Sequence, residues 1–277
     1  MNRIGPDGNA MSDAAQTRLT DLLNLSGEVA LVTGAGQGVG AATARFLAAQ
    51  GAVVAVNDYY PERATAVTET IIADGGRALA APGDITDYQG VTTMVSTIAA
   101  AVGSVTILVN NAGNAGATPR KQVPFWESEP QDWEPYLAVN LSGPLACCRA
   151  VIPGMITAGH GRIITVISDA GRVGEAGMEA YSAAKAGAAG LMRALARSLG
   201  RYGITANSVA IAMTSTPALT KLLANEDLVK RVLANYIIRR PGEPSDAAAL
   251  ISFLASPAAS WITGQTYPVN GGFSVNQ

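Results

Sequence analysis

The chain is short of the residues that metal sites, disulfide scaffolds and nucleic-acid platforms are built from. It has one histidine, His160, and two cysteines in 277 residues. One histidine without a Cys-x-x-Cys pair argues against a protein-bound zinc or other metal site. A Ser-His-Asp triad would have only His160, which sits in an Ala-Gly-His-Gly turn. Cys147 and Cys148 are adjacent on an expected helix, where neighbours point in different directions. No disulfide is implied, and a reducing, cytoplasmic setting fits. Charged residues make up 14% of the chain, with a net charge of −2 and no basic run. That balance argues against nucleic acid and against anionic membranes as partners. Aromatics, at 5%, are too scarce for a base-stacking platform. No apolar run approaches the ~18 residues of a spanning helix. The opening MNRIGPDGNAMSDAAQ lacks the apolar stretch of a signal peptide. Residues 1–26 read as a flexible extension and 27–277 as a single domain.

What the chain has is Ala, Gly and aliphatic residues, with 48% hydrophobic content. Short apolar runs alternate with helical patterns. Strands are expected at 29–33, 53–56, 78–81, 106–109, 162–167, 205–210 and 265–269. Helices are expected after Gly40, at 62–74, 88–102, 132–157, 181–200 and 245–255. Pro144 and Pro153 predict a kink and an early end to the helix over 132–157. Ser245 reads as a helix cap. Seven strands alternating with helices predict an α/β, doubly wound, Rossmann-like and mostly parallel sheet covered on both faces.

Two stretches carry chemistry. The first is Thr33–Gly40, TGAGQGVG, between the first strand and its helix. Glycines at 34, 38 and 40 let the backbone turn tightly and approach a pyrophosphate at a helix N-terminus. Asp58 ends the second strand, where a carboxylate meets an adenosine ribose.

The second is Ser168–Lys185, SDAGRVGEAGMEAYSAAK. Tyr181 and Lys185 are four apart among strong helix formers, so both lie on one helix face. An ammonium about 4 Å from the phenol favours the phenolate by roughly 4 kcal/mol at an effective dielectric of about 20. The pair is therefore expected to be a general acid/base, its phenol pKa lowered by Lys185. Ser168 falls where the fifth strand opens its carboxyl end to a ligand.

TGAGQGVG, Asp84, Asn110-Asn111-Ala112-Gly113, Asn140, Ser168, Tyr181-x-x-x-Lys185 and the closing TGQTYPVNGG stand in one order. Together they resemble the short-chain dehydrogenase/reductase family over about residues 26–273. The resemblance implies NAD(P)-dependent oxidation of an alcohol or reduction of a carbonyl. It implies a catalytic set of Asn140, Ser168, Tyr181 and Lys185. Asn140 would support a water-linked proton path to Lys185, and Lys185 would also hold the nicotinamide ribose. It implies cofactor contacts at Gly34, Gln37, Gly38, Val39, Gly40, Asp58, Asp84, Ile85, Asn111, Ala112, Gly113, Tyr181, Lys185 and Thr216. Asp84 and Ile85 would flank the adenine, and Asn111 would lie beside the ribose. It also implies a homotetramer or homodimer.

Two stretches depart from the family pattern. Ile211-Ala212 replaces the usual Pro-Gly after the sixth strand, and Glu175 and Met178 stand where carrier-protein reductases have Asn and Gln. The SDAGRVG run and Pro124–Trp126 look more like branches acting on cyclic or CoA-linked secondary alcohols. The resulting expectation is an NAD-dependent secondary alcohol dehydrogenase or ketone reductase. An NADPH-dependent 3-oxoacyl reductase and a non-catalytic NAD-binding protein are the alternatives. The segment 216–240 is expected to cover the substrate, and its Leu219, Leu222, Leu223, Val232 and Leu233 either face an apolar ligand or serve packing. Trp126 and Trp133 are either loop anchors or pocket lining.

Overall fold

A computed structural model describes residues 18–114, 123–220 and 224–275. Seven strands form one sheet in the order β3-β2-β1-β4-β5-β6-β7, every neighbouring pair parallel. They are β1 Val29–Val32, β2 Val53–Val56, β3 Arg77–Ala80, β4 Ile107–Asn110, β5 Gly161–Ser168, β6 Ile204–Ile211 and β7 Thr266–Val269. The helices are α1 Leu19–Leu22, α2 Gly38–Ala49, α3 Pro61–Ala73, α4 Tyr88–Val102, α5 Pro130–Leu137, α6 Gly143–Ala158, α7 Ala170–Val173, α8 Glu179–Leu199, α9 Glu226–Leu233 and α10 Pro244–Ala255. The strand order reverses between β1 and β4, which opens a crevice at their carboxyl ends.

Alternation along each strand splits the core in two. Ala30, Val32, Val54 and Val56 pack with Leu47 of α2, Ile71 of α3, and Ile251 and Leu254 of α10. Val29, Leu31 and Ala55 face the other way, onto Ile98 of α4, Val151 and Met155 of α6, and Met192 of α8. Each fully buried Leu, Ile or Met contributes about 1.5–3 kcal/mol. Because both sheet faces are covered, the strands are continuously apolar instead of alternating.

Several details differ from the expectation. The single helix expected over 132–157 is α5 and α6 joined by a π-helical turn, Ala138–Ser142. Pro144 has no N–H for the carbonyl of Asn140, and its ring crowds that carbonyl. Gly143 N–H bonds Ala138 O instead, and the turn widens. Pro153 does not end α6, which runs to Ala158 and stops at left-handed Gly159. Pro153 and Arg149, whose carbonyl loses its partner, both lie on the exposed side, where water serves.

Taken end to end, Pro130–Ala158 are long and apolar enough to cross a membrane, which no unbroken run suggested. Here Cys147, Cys148, Val151 and Met155 pack against the sheet. Helix α10 starts at Pro244 with Glu243 as its cap residue, not Ser245, and Glu243 N–H donates to Asp246 at 2.8 Å. Leu25, near the end of the expected extension, is fully buried, and its N–H donates to Gln50 O at 2.8 Å. Residues 1–17 lie outside the described residues.

Candidate active site

The glycine loop joins β1 to α2 and forms one wall of the crevice. Gly34, Gly36, Gln37 and Gly38 are partly open, and the free N–H groups of the first turn of α2 suit an anion. Val39 and Gly40 are buried. The Val39 side chain belongs to the core, so only its backbone is available to a ligand. A Cβ on Gly40 would collide with Asn111 Nδ2 and Gly34 O. That close approach explains why the chain needs glycine there.

Asn111 turns out to be a clamp on this loop. Its Nδ2 donates to Thr33 O at 2.9 Å and Gly34 O at 3.0 Å. The Thr33 hydroxyl accepts from the N–H groups of Asn111, at 3.0 Å, and Ala112, at 3.1 Å. The end of β4 and the glycine loop are thus one rigid piece. Thr33 was not singled out from the sequence; its signal is a hydroxyl in an otherwise apolar strand end.

Asp58, at the end of β2, is buried. Its two oxygens accept from Gly36 N–H and Tyr60 N–H, each at 3.0 Å. A Cβ on Gly36 would lie 2.6 Å from the Asp58 carboxylate and 2.5 Å from Arg63 Cβ. Gly36 is therefore also a site residue, although the glycine spacing pointed only to 34, 38 and 40. The Arg63 guanidinium stacks on Tyr60 at 4.2 Å from the ring centre.

Asp84 is exposed, and its Oδ1 accepts from the N–H and hydroxyl of Thr86. Ile85 is buried, and its Cδ1 would lie 2.5 Å from a Cβ on Gly143. So Asp84 shapes a turn and the Ile85 side chain fills core.

On the other side of the crevice, β5 ends at Ser168, and α8 carries Tyr181 and Lys185 on one face. The Ser168 hydroxyl faces the Tyr181 phenol closely enough to act against the rise in its pKa, and it accepts from Ala170 N–H at 3.2 Å. Lys185 is buried, and its Nζ donates to Val166 O at 2.9 Å. Nζ is 5.8 Å from the Tyr181 ring centre. A Cβ on Gly113 would lie 3.3 Å from Lys185 Nζ and 3.2 Å from Asn140 Oδ1, so the β4 end reaches both.

Asn140 sits in the π turn and is buried. Its Nδ2 donates to Asn114 O at 2.8 Å and Tyr136 O at 2.9 Å, and its Oδ1 accepts from Asn114 N–H. Thr216 closes the near side: a Cβ on Gly38 would lie 3.1 Å from Thr216 Cγ2.

The absence of Pro-Gly at Ile211-Ala212 changes the approach to Thr216. Strand β6 continues through Ile211, paired with Val269 and Ser168. The chain then runs alongside Gly242, held by Gly242 N–H to Met213 O at 3.0 Å and Ser215 N–H to Gly242 O at 2.7 Å. Thr216 still arrives over the glycine loop.

The electrostatics overturn one expectation. Burial raises the pKa of Tyr181; the Ser168 hydrogen bond opposes this, and the Glu175 charge adds to it. Burial also pushes Lys185 down from 10.5 to about 8. The rise at Tyr181 is opposite to the lowering expected from the Lys185 ammonium. Near neutral pH the pair holds both protons.

One aromatic residue packs against Tyr181. Tyr136 meets Tyr181 edge-on at 6.4 Å, and Phe125 stacks on Trp133 at 5.5 Å. Trp133 Nε1 also donates to Ser128 Oγ at 2.8 Å, whereas Trp126 is exposed. Trp133, on α5, is thus anchored to the loop before it. Leu222 and Leu223 lie outside the described residues.

Residues 34–274 match the family model described as enoyl-(acyl carrier protein) reductase. A 3-oxoacyl-[acyl-carrier-protein] reductase from Synechocystis is 39% identical over 90% of this chain and 97% of its own. Cis-4-hydroxycyclohexanecarboxylate dehydrogenase from Sinomonas cyclohexanicum is 39% identical over 89% of this chain and 96% of its own. Among solved structures, a gluconate 5-dehydrogenase from Burkholderia cenocepacia in complex with NADP and tartrate is similar. It superposes with a TM-score of 0.86 at 31% identity, covering 93% of this chain and 100% of that one. A 7α-hydroxysteroid dehydrogenase complexed with NADH and 7-oxo glycochenodeoxycholic acid gives 0.86 at 35% identity, covering 94% and 100%. With its all-parallel sheet, its glycine loop and a Ser-Tyr-Lys set gathered at one crevice, the chain belongs to the short-chain dehydrogenase/reductase family of NAD(P)-dependent oxidoreductases.

Proposed function

We propose that the protein interconverts a secondary alcohol and a ketone with NAD(H), and that Tyr181 carries the proton. The observation that carries this reading is the convergence of Ser168, Tyr181 and Lys185 beside the clamped glycine loop. A dinucleotide fits this crevice. Gly36 and Gly40 leave no room for a Cβ, and Asp58 is a buried carboxylate at the adenosine side. Gly34, Gln37, Gly38, the Val39 backbone, Asp58, Ala112, Gly113 and Thr216 would hold the cofactor, with Lys185 on its ribose. When bound, the nicotinamide supplies or takes up the hydride.

The protein's part is proton transfer and orientation. A phenol kept protonated by burial is a suitable acid for a ketone oxygen at neutral pH. Ser168 stands beside that phenol, so a substrate oxygen placed between them would have two donors. Lys185 and Asn140, both beside Gly113, would return the proton through water from the interior.

Tyr136, edge-on to Tyr181, favours a ring-containing substrate, and the Glu175 charge disfavours an anion close to Tyr181. The named cyclohexane and steroid relatives support that class. The 39% identical carrier-protein reductase keeps an NADPH-dependent 3-oxoacyl reductase as the second reading.

A panel of cyclic ketones, linear ketones and an acetoacetyl thioester, each with NADH and NADPH, tests the choice. Fastest turnover of cyclic ketones with NADH is the expected result. Preference for the thioester with NADPH would select the second reading, and no turnover of any carbonyl would sink the enzymatic one.

We also read the protein as a cytoplasmic homotetramer or homodimer. Helix α6 exposes Leu145 and Ile156, and an open groove of about 370 Å³ runs between Tyr88 and Arg149. Two buried free cysteines fit a reducing compartment.

A further inference from the structure

The turn that carries Ser168 is tied to the far end of the chain by a network of buried polar groups. Asp169, which follows Ser168, is 2% exposed. One carboxylate oxygen accepts from Arg172 Nη1 at 2.6 Å, a pair that spans the short helix α7. The other accepts from Asn270 Nδ2 at 2.6 Å, just past β7. Arg172 Nη1 also donates to Ser274 Oγ at 2.9 Å. Asn270 Nδ2 donates to Ser274 O at 3.0 Å, and its Oδ1 accepts from Gly272 N–H at 3.0 Å. These partners fix which amide atom is nitrogen. A carboxylate this deeply buried must keep its partners or be strongly penalised.

Neighbouring residues of the same closing stretch, 270–274, also grip the segment that follows Thr216. Gly272 has φ +77°, and a Cβ there would lie 2.7 Å from Ile237 Cβ. Ile238 N–H donates to Gly271 O at 2.8 Å. Tyr236 packs on Phe273 at 5.1 Å, and its hydroxyl accepts from Met213 N–H at 3.1 Å. So residues 270–274 touch the Ser168 turn on one side and the segment 236–238 on the other.

We propose that residues 270–274 are a clasp that holds the Ser168 turn and the substrate-side segment in one register, with Asp169, Arg172 and Asn270 as positioning residues for Ser168. The proposal rests on the alcohol–ketone reading for its catalytic consequence. It explains why the chain closes its last strand with Asn-Gly-Gly: the asparagine reaches Asp169, and the second glycine admits Ile237.

The test uses the full-length protein with cyclohexanone and NADH. Asn270→Ala should lower kcat roughly 10- to 100-fold, the order that a displacement of about 1 Å costs. NADH affinity, read by fluorescence, should stay within about twofold, because the glycine loop is held separately by Asn111. Amide hydrogen exchange should accelerate in both 168–174 and 236–240. Ser274→Ala should do the same more weakly, and it stands in if Asn270→Ala does not fold. Asn270→Asp sets two carboxylates together and should be worse than Ala. Adding Asp169→Asn, which restores one carboxylate and one amide, should recover part of the rate.

A folded Asn270→Ala with unchanged kcat, or loss of NADH affinity in step with kcat, would overturn the proposal. Failure of the charge swap to recover any rate would do so as well. If the wild type reduces no ketone, the function proposed above fails, while exchange in the two segments still decides the clasp.

Discussion

Asp58 should decide which cofactor the enzyme uses. Its carboxylate is 6% exposed and held by the N–H groups of Gly36 and Tyr60 at 3.0 Å, so it cannot swing away without orphaning both. A 2′-phosphate on the ribose beside it would bring negative charge to within about 5 Å. At an effective dielectric of about 20 each unit of that charge costs roughly 3 kcal/mol. That is about a hundredfold or more in kcat/KM. Arg63 is the nearest counterweight, but its guanidinium is stacked on Tyr60. The expected wild-type ratio therefore favours NADH over NADPH by at least about a hundredfold.

Asp58→Asn removes the charge and keeps one acceptor, so the ratio should fall to about tenfold or less, mostly through KM for NADPH. NADH affinity should drop as well, by the order of one charge-assisted hydrogen bond. The assay is initial-rate kinetics with each cofactor at saturating ketone. A wild type with higher kcat/KM for NADPH would refute the reasoning, and so would an Asp58→Asn variant with an unchanged ratio.

Other perturbations have equally definite outcomes. Tyr181→Phe should fold and bind NADH, yet lose roughly 10²–10⁴-fold in kcat, and near wild-type turnover would move the chemistry elsewhere. Lys185 titrates near 8 in the folded chain against a usual 10.5, so the unfolded chain holds more protons between those values. Stability should therefore rise from pH 8 to pH 10.5 by on the order of 3 kcal/mol, and urea titration of Lys185→Met should lack that rise. Gly40→Ala should abolish NADH binding, because its Cβ meets Asn111 and Gly34; calorimetry showing wild-type affinity would contradict the clamp. Light scattering should give a species larger than one 28.3 kDa chain, and a clean monomer at micromolar concentration would count against the interface on α6.

The sequence by itself determined the layer order and the identity of the chemistry-bearing side chains. Short aliphatic runs between glycine punctuation and helical periodicity leave few arrangements other than a covered parallel sheet. Tyr181 and Lys185 share a face because four residues make about one helical turn. Tertiary structure decided what depends on neighbours distant in the chain. The pKa direction of Tyr181 is one case: spacing supplied the ammonium, but burial raises the phenol. The π turn at Asn140 is another, half legible in Pro144 but fixed by bonds to Asn114 and Tyr136. The Asn111 amide clamps the glycine loop, a bond across 77 residues that no local pattern encodes. The link from Asp169 to Asn270 joins residues 101 apart, and no local pattern encodes it. Local rules fix which backbone conformation each segment prefers. Only the packed molecule sets the burial, and hence the charge and the partners, of each polar group within it.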